Sequence, residues 1–233
     1  MQAPQSDVVG VIVAAGTGSR LGDSLAGGTV TKALRLLGGR PLVTWSAERL
    51  IAGGVGHLIV VCPTETEDQF AAALGELPIP VTLTPGGETR QDSVRAGLTC
   101  LPAEAAIVLV HDAARPLVPS HVVRAVIEQV RSGADAAVPV VPITDSIRVL
   151  VGDQSQVIDR ATLRGLQTPQ GFKADVLVAS HAQLAGESFS DDASVCESCG
   201  HRVELVDGSR LAMKITEPID FAIAEAILVQ AEL

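Results

Sequence analysis

Residues 11–22 read Val11-Ile12-Val13-Ala14-Ala15-Gly16-Thr17-Gly18-Ser19-Arg20-Leu21-Gly22. An apolar, mostly β-branched run that begins at Val8 passes into small residues and then at once into a fixed positive charge. Such a run predicts a strand buried on both faces. Gly16 and Gly18 let the backbone bend sharply and approach a ligand closely. Backbone N–H groups turning after a strand form an anion-binding nest. Arg20 adds a charge that does not titrate away. Together these features suit the phosphates of a nucleoside triphosphate. The stretch is not a P-loop, which needs G-K-[ST], and it lacks the third glycine of G-x-G-x-x-G. A Gly-rich turn carrying a surface arginine is the plainer reading of the same residues.

Similar runs recur at His57–Val61, Val81–Leu83, Ile107–Val110 and Ala136–Val141. Helical patterns lie between them at Pro41–Ala52, Thr66–Leu74, Ser93–Leu101 and Ser120–Ser132. The alternation predicts an α/β fold, a Rossmann-like and mostly parallel sheet with helices on both faces. Ligands of such sheets collect outside the carboxyl ends of the strands. Residues 142–166 differ: short apolar pairs alternate with polar residues, and Gly152-Asp153 supplies a turn. Ser146–Val151 and Gln156–Ile158 are read as a hairpin arm protruding from the main body. Helix resumes near Lys173–Leu184 and Asp192–Ser198, and a last helix runs from Pro218 to about Ala231. Without repeats or low-complexity tracts, residues 1–233 are read as one domain, the first seven being loose.

Hydrophobic residues make up 47% and charged residues 19%, so a sizeable core can form. Aromatics are 2%, with no Tyr, which argues against a base-stacking platform. The formal net charge of −10 argues against nucleic acid or an anionic membrane as partner. Positive charge for an anionic ligand must therefore be concentrated locally. The N-terminus has no basic residue, and no stretch approaches the roughly 20 apolar residues of a membrane span, so a cytoplasmic location is expected. The four cysteines fit that expectation; Cys196-x-x-Cys199 has no second pair and no histidine at a zinc-like spacing.

Other constellations lie after other strands. The chain has 14 Arg but only 3 Lys, two of which, Lys32 and Lys214, stand in loops where a mobile point charge could meet a phosphoryl group. Gly86-Gly87-Glu88-Thr89-Arg90-Gln91-Asp92-Ser93 follows Val81–Leu83. Its glycines expose main-chain groups able to read a base edge. Ser93 is read foremost as a residue of a helix start, with nucleotide contact as the other role. His111-Asp112-Ala113-Ala114-Arg115-Pro116 follows the Ile107–Val110 strand. Asp112 is placed to hold Mg²⁺, the two alanines leave room for a ligand, and Arg115 can bind a second phosphate. A structural Asp–Arg pair is the alternative. Asp191-Asp192 could form a second acidic site; a helix N-terminal role, favoured by the dipole, is preferred. His57, His121, His181 and His201 are scattered and are read as structural or solvated.

These segments, with Leu166-Gln167-Thr168-Pro169-Gln170, Ser190-Asp191-Asp192-Ala193-Ser194 and Met213-Lys214-Ile215-Thr216, resemble the 2-C-methyl-D-erythritol 4-phosphate cytidylyltransferase family over essentially the whole chain. One departure is Thr31 before Lys32 where the family usually has Pro, with 11 residues between Arg20 and Lys32. The resemblance implies that Ala14, Ala15, Gly16, Thr17, Gly18, Gly86, Gly87, Glu88, Ser93 and Ala113 hold CTP. It implies that Asp112, Arg115, Ser146, Arg160 and Thr168 bind the polyol phosphate, and that Asp112 also holds Mg²⁺ or another divalent cation. Arg20, Lys32 and Lys214 are the implied catalytic residues. It further implies a homodimer in which the hairpin arm carries Ser146 and Arg160 to the neighbour's site. At 233 residues the chain is expected to lack the cyclodiphosphate synthase domain fused to some relatives.

A phosphomonoester is already a dianionic nucleophile near pH 7, since its second pKa is about 6. The expected chemistry is in-line attack on the α-phosphorus of CTP, with positioning and charge stabilisation supplying the catalysis. Three other readings remain at this level: a cytidylyltransferase for another polyol phosphate such as ribitol 5-phosphate, a non-catalytic nucleotide-binding module, and a sugar-nucleotide pyrophosphorylase using UTP or GTP.

Overall fold

The buried strands of the sheet sort their side chains by parity. In β1 (Gln5–Val13), Val8 and Ile12 enter one apolar cluster, while Val9 and Val11 enter another. The same division holds in β4 (Val55–Cys62), with Leu58 and Val60 against Ile59 and Val61, and in β6 (Ile107–Asp112), with Ile107 and Leu109 against Val108 and Val110. Successive side chains of a strand point to opposite faces, so apolar residues at every position require cover on both. The chain supplies it. The computed structural model, which describes residues 5–16 and 31–231, places α1 (Leu42–Gly53), α2 (Glu67–Leu74) and α4 (Ser120–Arg131) over the first cluster. On the other face lie α3 (Arg90–Leu98), α5 (Ala174–Gln183) and α6 (Asp192–Ser198).

Among the described residues the central sheet has eight strands, and the short β2 (Leu36–Leu37) and β3 (Arg40–Pro41) pair apart from it. β1 pairs in parallel with β4 and with β6, and β4 pairs in parallel with β5 (Val81–Pro85). Beyond β6 comes β11 (Gln170–Lys173), antiparallel both to β6 and to β7 (Ala136–Pro142). β7 also takes β10 (Arg164–Leu166) antiparallel and β12 (Val203–Asp207) in parallel. The mostly parallel sheet with helices on both faces is thus as the alternation predicts. β10, β11 and β12 are not foreseen by it: they are short, and β11 is half polar, so none makes a continuous apolar run. Gln5 to Asp7, expected to be loose, belong to β1, and Asp7 pairs with Arg131 at 2.7 Å.

Two further elements bear on function. β8 (Ile147–Val151) and β9 (Gln154–Ile158) form a separate two-stranded sheet. Val151 faces Gln154, so the connection is the two-residue turn Gly152-Asp153, with Gly152 at φ 58°. That backbone favours glycine. The hairpin presents Leu150, 79% exposed, and Val157, 66% exposed, to solvent. The last helix, α7 (Pro218–Ala231), closes a third cluster with Leu37, Leu42 and Ile215, partly through Phe221 and Leu228. Among the described residues, no helix is long and apolar enough to cross a membrane.

Candidate active site

The carboxyl ends of β1, β4, β5 and β6 are tied into one rim by backbone hydrogen bonds. Ala14 donates to Val61, Gly86 to Cys62, and Ala113 to Val13. Above this rim opens a cavity of about 440 Å³. Its wall contains Ala14, Ala15, Gly16, Lys32, Gly87, Glu88, Ser93, Asp112, Ala113 and Lys214, ten of the residues singled out in the sequence. Gly86 stands directly behind: a Cβ there would lie 2.4 Å from the Cβ of Ala15 and 3.0 Å from Oγ of Ser93. Thr17, Gly18 and Arg20 lie outside the described residues.

Asp112 is the electrostatic centre. It ends β6, and its side chain is 13% exposed. Oδ2 accepts from Nζ of Lys214 at 2.7 Å, and Oδ1 from Nε of Arg90 at 3.3 Å. Burial alone would raise its pKa, but Arg90 and Lys214, with Arg115 nearby, outweigh that and hold it well below the usual carboxylate range. Lys214 is fixed from the next residue: Ile215 is fully buried in the third cluster and its N–H donates to Ala114. A buried neighbour thus aims a partly exposed lysine across the rim.

The Ala113-Ala114 turn is equally determined. Oγ of Ser46 donates to the Ala113 carbonyl, and the Arg115 N–H donates to the Asp112 carbonyl. Behind it, Thr168 Oγ1 accepts from the Asp112 N–H at 3.0 Å and lies 3.1 Å from Nδ1 of buried His111. His111 Nε2 faces the Arg115 carbonyl at 3.3 Å. A carbonyl only accepts, so Nε2 carries the proton and Nδ1 accepts from the threonine hydroxyl. Burial accordingly pushes the His111 pKa down to about 4. Thr168 therefore spends its hydroxyl on the Asp112 loop. Arg115 gives Nη1 to the Ala212 carbonyl and Nη2 to the Leu166 carbonyl, while its Nε is buried without a partner among the described residues.

The structure does not gather every residue expected here. Ser146 and Arg160 are exposed beside the hairpin and do not line the cavity. Ser93 lies in the first turn of α3 but does not cap it: Thr89 does, in a reciprocal capping box with Asp92. Oγ of Ser93 instead accepts from the Gly87 N–H and donates to the Thr89 carbonyl, holding the glycine pair in place. Asp191 caps α6, as its position suggests, through the Ser194 N–H. Asp192 does something else: it is fully buried and accepts from Nη1 of Arg90 at 2.8 Å. Sequence reasoning gave Arg90 no role. One signal was available, since a cation in the first turn of a helix opposes the dipole and asks for another cause.

A family model described as 2-C-methyl-D-erythritol 4-phosphate cytidylyltransferase matches residues 8–230. The chain belongs to this family. A relative of that name from Streptomyces coelicolor is 42% identical over 96% of this chain and 85% of its own length. One from Saccharopolyspora erythraea is 43% identical over 95% of this chain and 99% of its own. A crystal structure of the cytidylyltransferase from Thermus thermophilus superposes with a TM-score of 0.77 at 32% identity, covering 94% of this chain and 98% of that one. The protein is thus an enzyme, a nucleotidyltransferase of the cytidylyltransferase kind.

Proposed function

We propose that this rim transfers CMP from CTP to 2-C-methyl-D-erythritol 4-phosphate, releasing pyrophosphate and forming 4-diphosphocytidyl-2-C-methyl-D-erythritol. The observation that carries the reading is the meeting of Lys214, Asp112 and Arg90 beside the glycine pair, at the carboxyl edge of the sheet. The exposed main chain of Gly86-Gly87 and the Ala14–Gly18 loop receive the nucleotide, and the tight backing of Gly86 by Ala15 favours the smaller pyrimidine ring. Lys32 and Lys214 face the charge that develops as the substrate phosphate attacks the α-phosphorus in line, and Arg20 is the third cation assigned to it. No strong base is needed, because the nucleophile is already anionic near pH 7. Catalysis is positioning and preorganised charge.

Mg²⁺ fits this set. Among the described residues no three His, Cys, Asp or Glu side chains cluster as a ready metal cage. Mg²⁺ commonly takes one or two carboxylates together with substrate phosphates, and Asp112 is a persistently ionised carboxylate in the cavity wall. Asp112 would hold it, and the ion would neutralise triphosphate charge. Arg115 binds the polyol phosphate from the adjoining turn. Thr168 contributes by fixing the Asp112 amide.

The hairpin arm supports a homodimer. It exposes Leu150, Val151 and Val157, and Ser146 and Arg160 beside it lie outside their own cavity, on the element that would carry them to a neighbour's. The four unpaired cysteines suit a reducing compartment, in line with a cytoplasmic enzyme. Incubation with CTP, Mg²⁺ and either methylerythritol phosphate or ribitol 5-phosphate, following pyrophosphate, tests the substrate. Release with the first alone is expected; release only with the second would overturn the assignment.

A further inference from the structure

Asp192 has no exposed surface; burial alone would raise its pKa, but His181 and Arg90 outweigh that and hold it below the usual carboxylate value. Its Oδ2 accepts from Nη1 of Arg90 at 2.8 Å, and its Oδ1 lies 3.1 Å from Nε2 of His181, which is also buried. Removing a carboxylate from water is costly, and a buried ion pair rarely adds stability over apolar residues of the same size. A carboxylate kept at this depth, paired with an arginine 102 positions away that is itself partly exposed, calls for a geometric reason.

The reason lies on the other side of Arg90. Its Nε reaches only Oδ1 of Asp112, at 3.3 Å, while Oδ2 of Asp112 belongs to Lys214 at 2.7 Å. Arg90 Nη2 donates to no described residue, and Arg90 lines the cavity. A guanidinium left to itself prefers to fork both oxygens of one carboxylate. Released from Asp192, Arg90 would turn onto both oxygens of Asp112 and displace Lys214.

We infer that Asp192, gripped by His181, is a positioning residue that pins Arg90 so that Asp112 keeps one oxygen for Lys214. The inference rests on the nucleotidyl-transfer reading of the cavity and adds to it a support unit two layers behind the reacting groups. Neither residue touches substrate; both act through Arg90.

The test uses the full chain with Asp192→Asn, His181→Leu, and His181→Gln, whose side-chain amide keeps a donor where Nε2 stood. Pyrophosphate release should show kcat reduced at least about tenfold in Asp192→Asn, with KM for CTP within about threefold. His181→Leu should fall in the same direction, and His181→Gln should stay within about twofold of the parent. In parallel, the side-chain Nη signals of Arg90 are followed by NMR, assigned by their loss in Arg90→Lys. They should be resolved in the parent and in His181→Gln, and collapsed in Asp192→Asn and His181→Leu. If Asp192→Asn does not fold, the two His181 variants decide. Equal kcat losses in His181→Leu and His181→Gln, or Arg90 signals indifferent to all substitutions, overturn the inference. A parent enzyme that releases no pyrophosphate refutes the transfer reading instead, and the NMR series still decides whether Arg90 is pinned.

Discussion

Nζ of Lys214 lies 2.7 Å from Oδ2 of Asp112, although the two are 102 positions apart in the chain. This contact joins the loop after the 3-10 turn Arg210–Ala212 to the end of β6 and draws a cation over the cavity. Lys214→Ala should lower turnover at least about tenfold, the scale on which a lost preorganised donor acts. The side chain is 41% exposed, so the melting temperature should hardly move. Steady-state pyrophosphate release with a thermal melt checks both; full turnover in the folded variant would remove Lys214 from the site.

Gly86 has no room for a side chain, because a Cβ would meet the Cβ of Ala15 at 2.4 Å. Gly86→Ala must push Ala15 into the cavity or shift the Gly87-Glu88 turn. Overpacking of this kind costs about 1–3 kcal/mol. CTP affinity should fall about tenfold or more, one such step being about 1.4 kcal/mol. Calorimetric titration with CTP, paired with a denaturation curve, measures the two losses separately. Unaltered CTP affinity would place the base elsewhere.

His111 is buried and neutral, with its pKa pushed from the ordinary 6.5 to about 4. As pH falls through that interval the unfolded chain takes up a proton and the folded chain does not. Stability should therefore rise with pH between about 4 and 6.5, at up to about 1.4 kcal/mol per pH unit. Asp112 and Asp192, held low in the folded state, act in the same direction but only below about pH 5, where unfolded carboxylates begin to protonate. His111→Asn should flatten the upper interval. Urea midpoints of both proteins at pH 5 and pH 7 give the comparison, and parallel slopes would exclude His111 as the cause.

The arm's apolar residues are open to solvent along its length, with Leu150 near the turn at 79% and Val157 near the base at 66% exposure. In the proposed dimer these residues are covered. Changing both to Asp should leave the main sheet intact and shift sedimentation from dimer to monomer. Turnover should fall with it, because Ser146 and Arg160 would no longer reach a neighbour's cavity. A dimer that survives the double substitution points to another interface.

Much of this was legible before any coordinates. The apolar runs at Val8–Val13, His57–Val61 and Ile107–Val110 announced strands covered on both sides, and each is one. The turn at Gly152-Asp153 announced the hairpin. Ser93 was read as a residue of a helix start, and it is one; which side chain caps that helix was not read, because a capping box is decided by the side chain that arrives at N-cap, and that is Thr89. β11 escaped notice because four half-polar residues between two strands gain their burial from neighbours, not from their own pattern.

By itself the sequence determined the layers of the fold and the composition of the rim, since apolar periodicity and small residues act over a few positions of chain. Only the tertiary structure decided how the charges are partnered: Asp112 between Lys214 and Arg90, and Arg90 between Asp112 and Asp192. Charged residues follow no period. Their partners are chosen by which loop ends the sheet brings within hydrogen-bonding reach, and by the burial that makes each pairing obligatory.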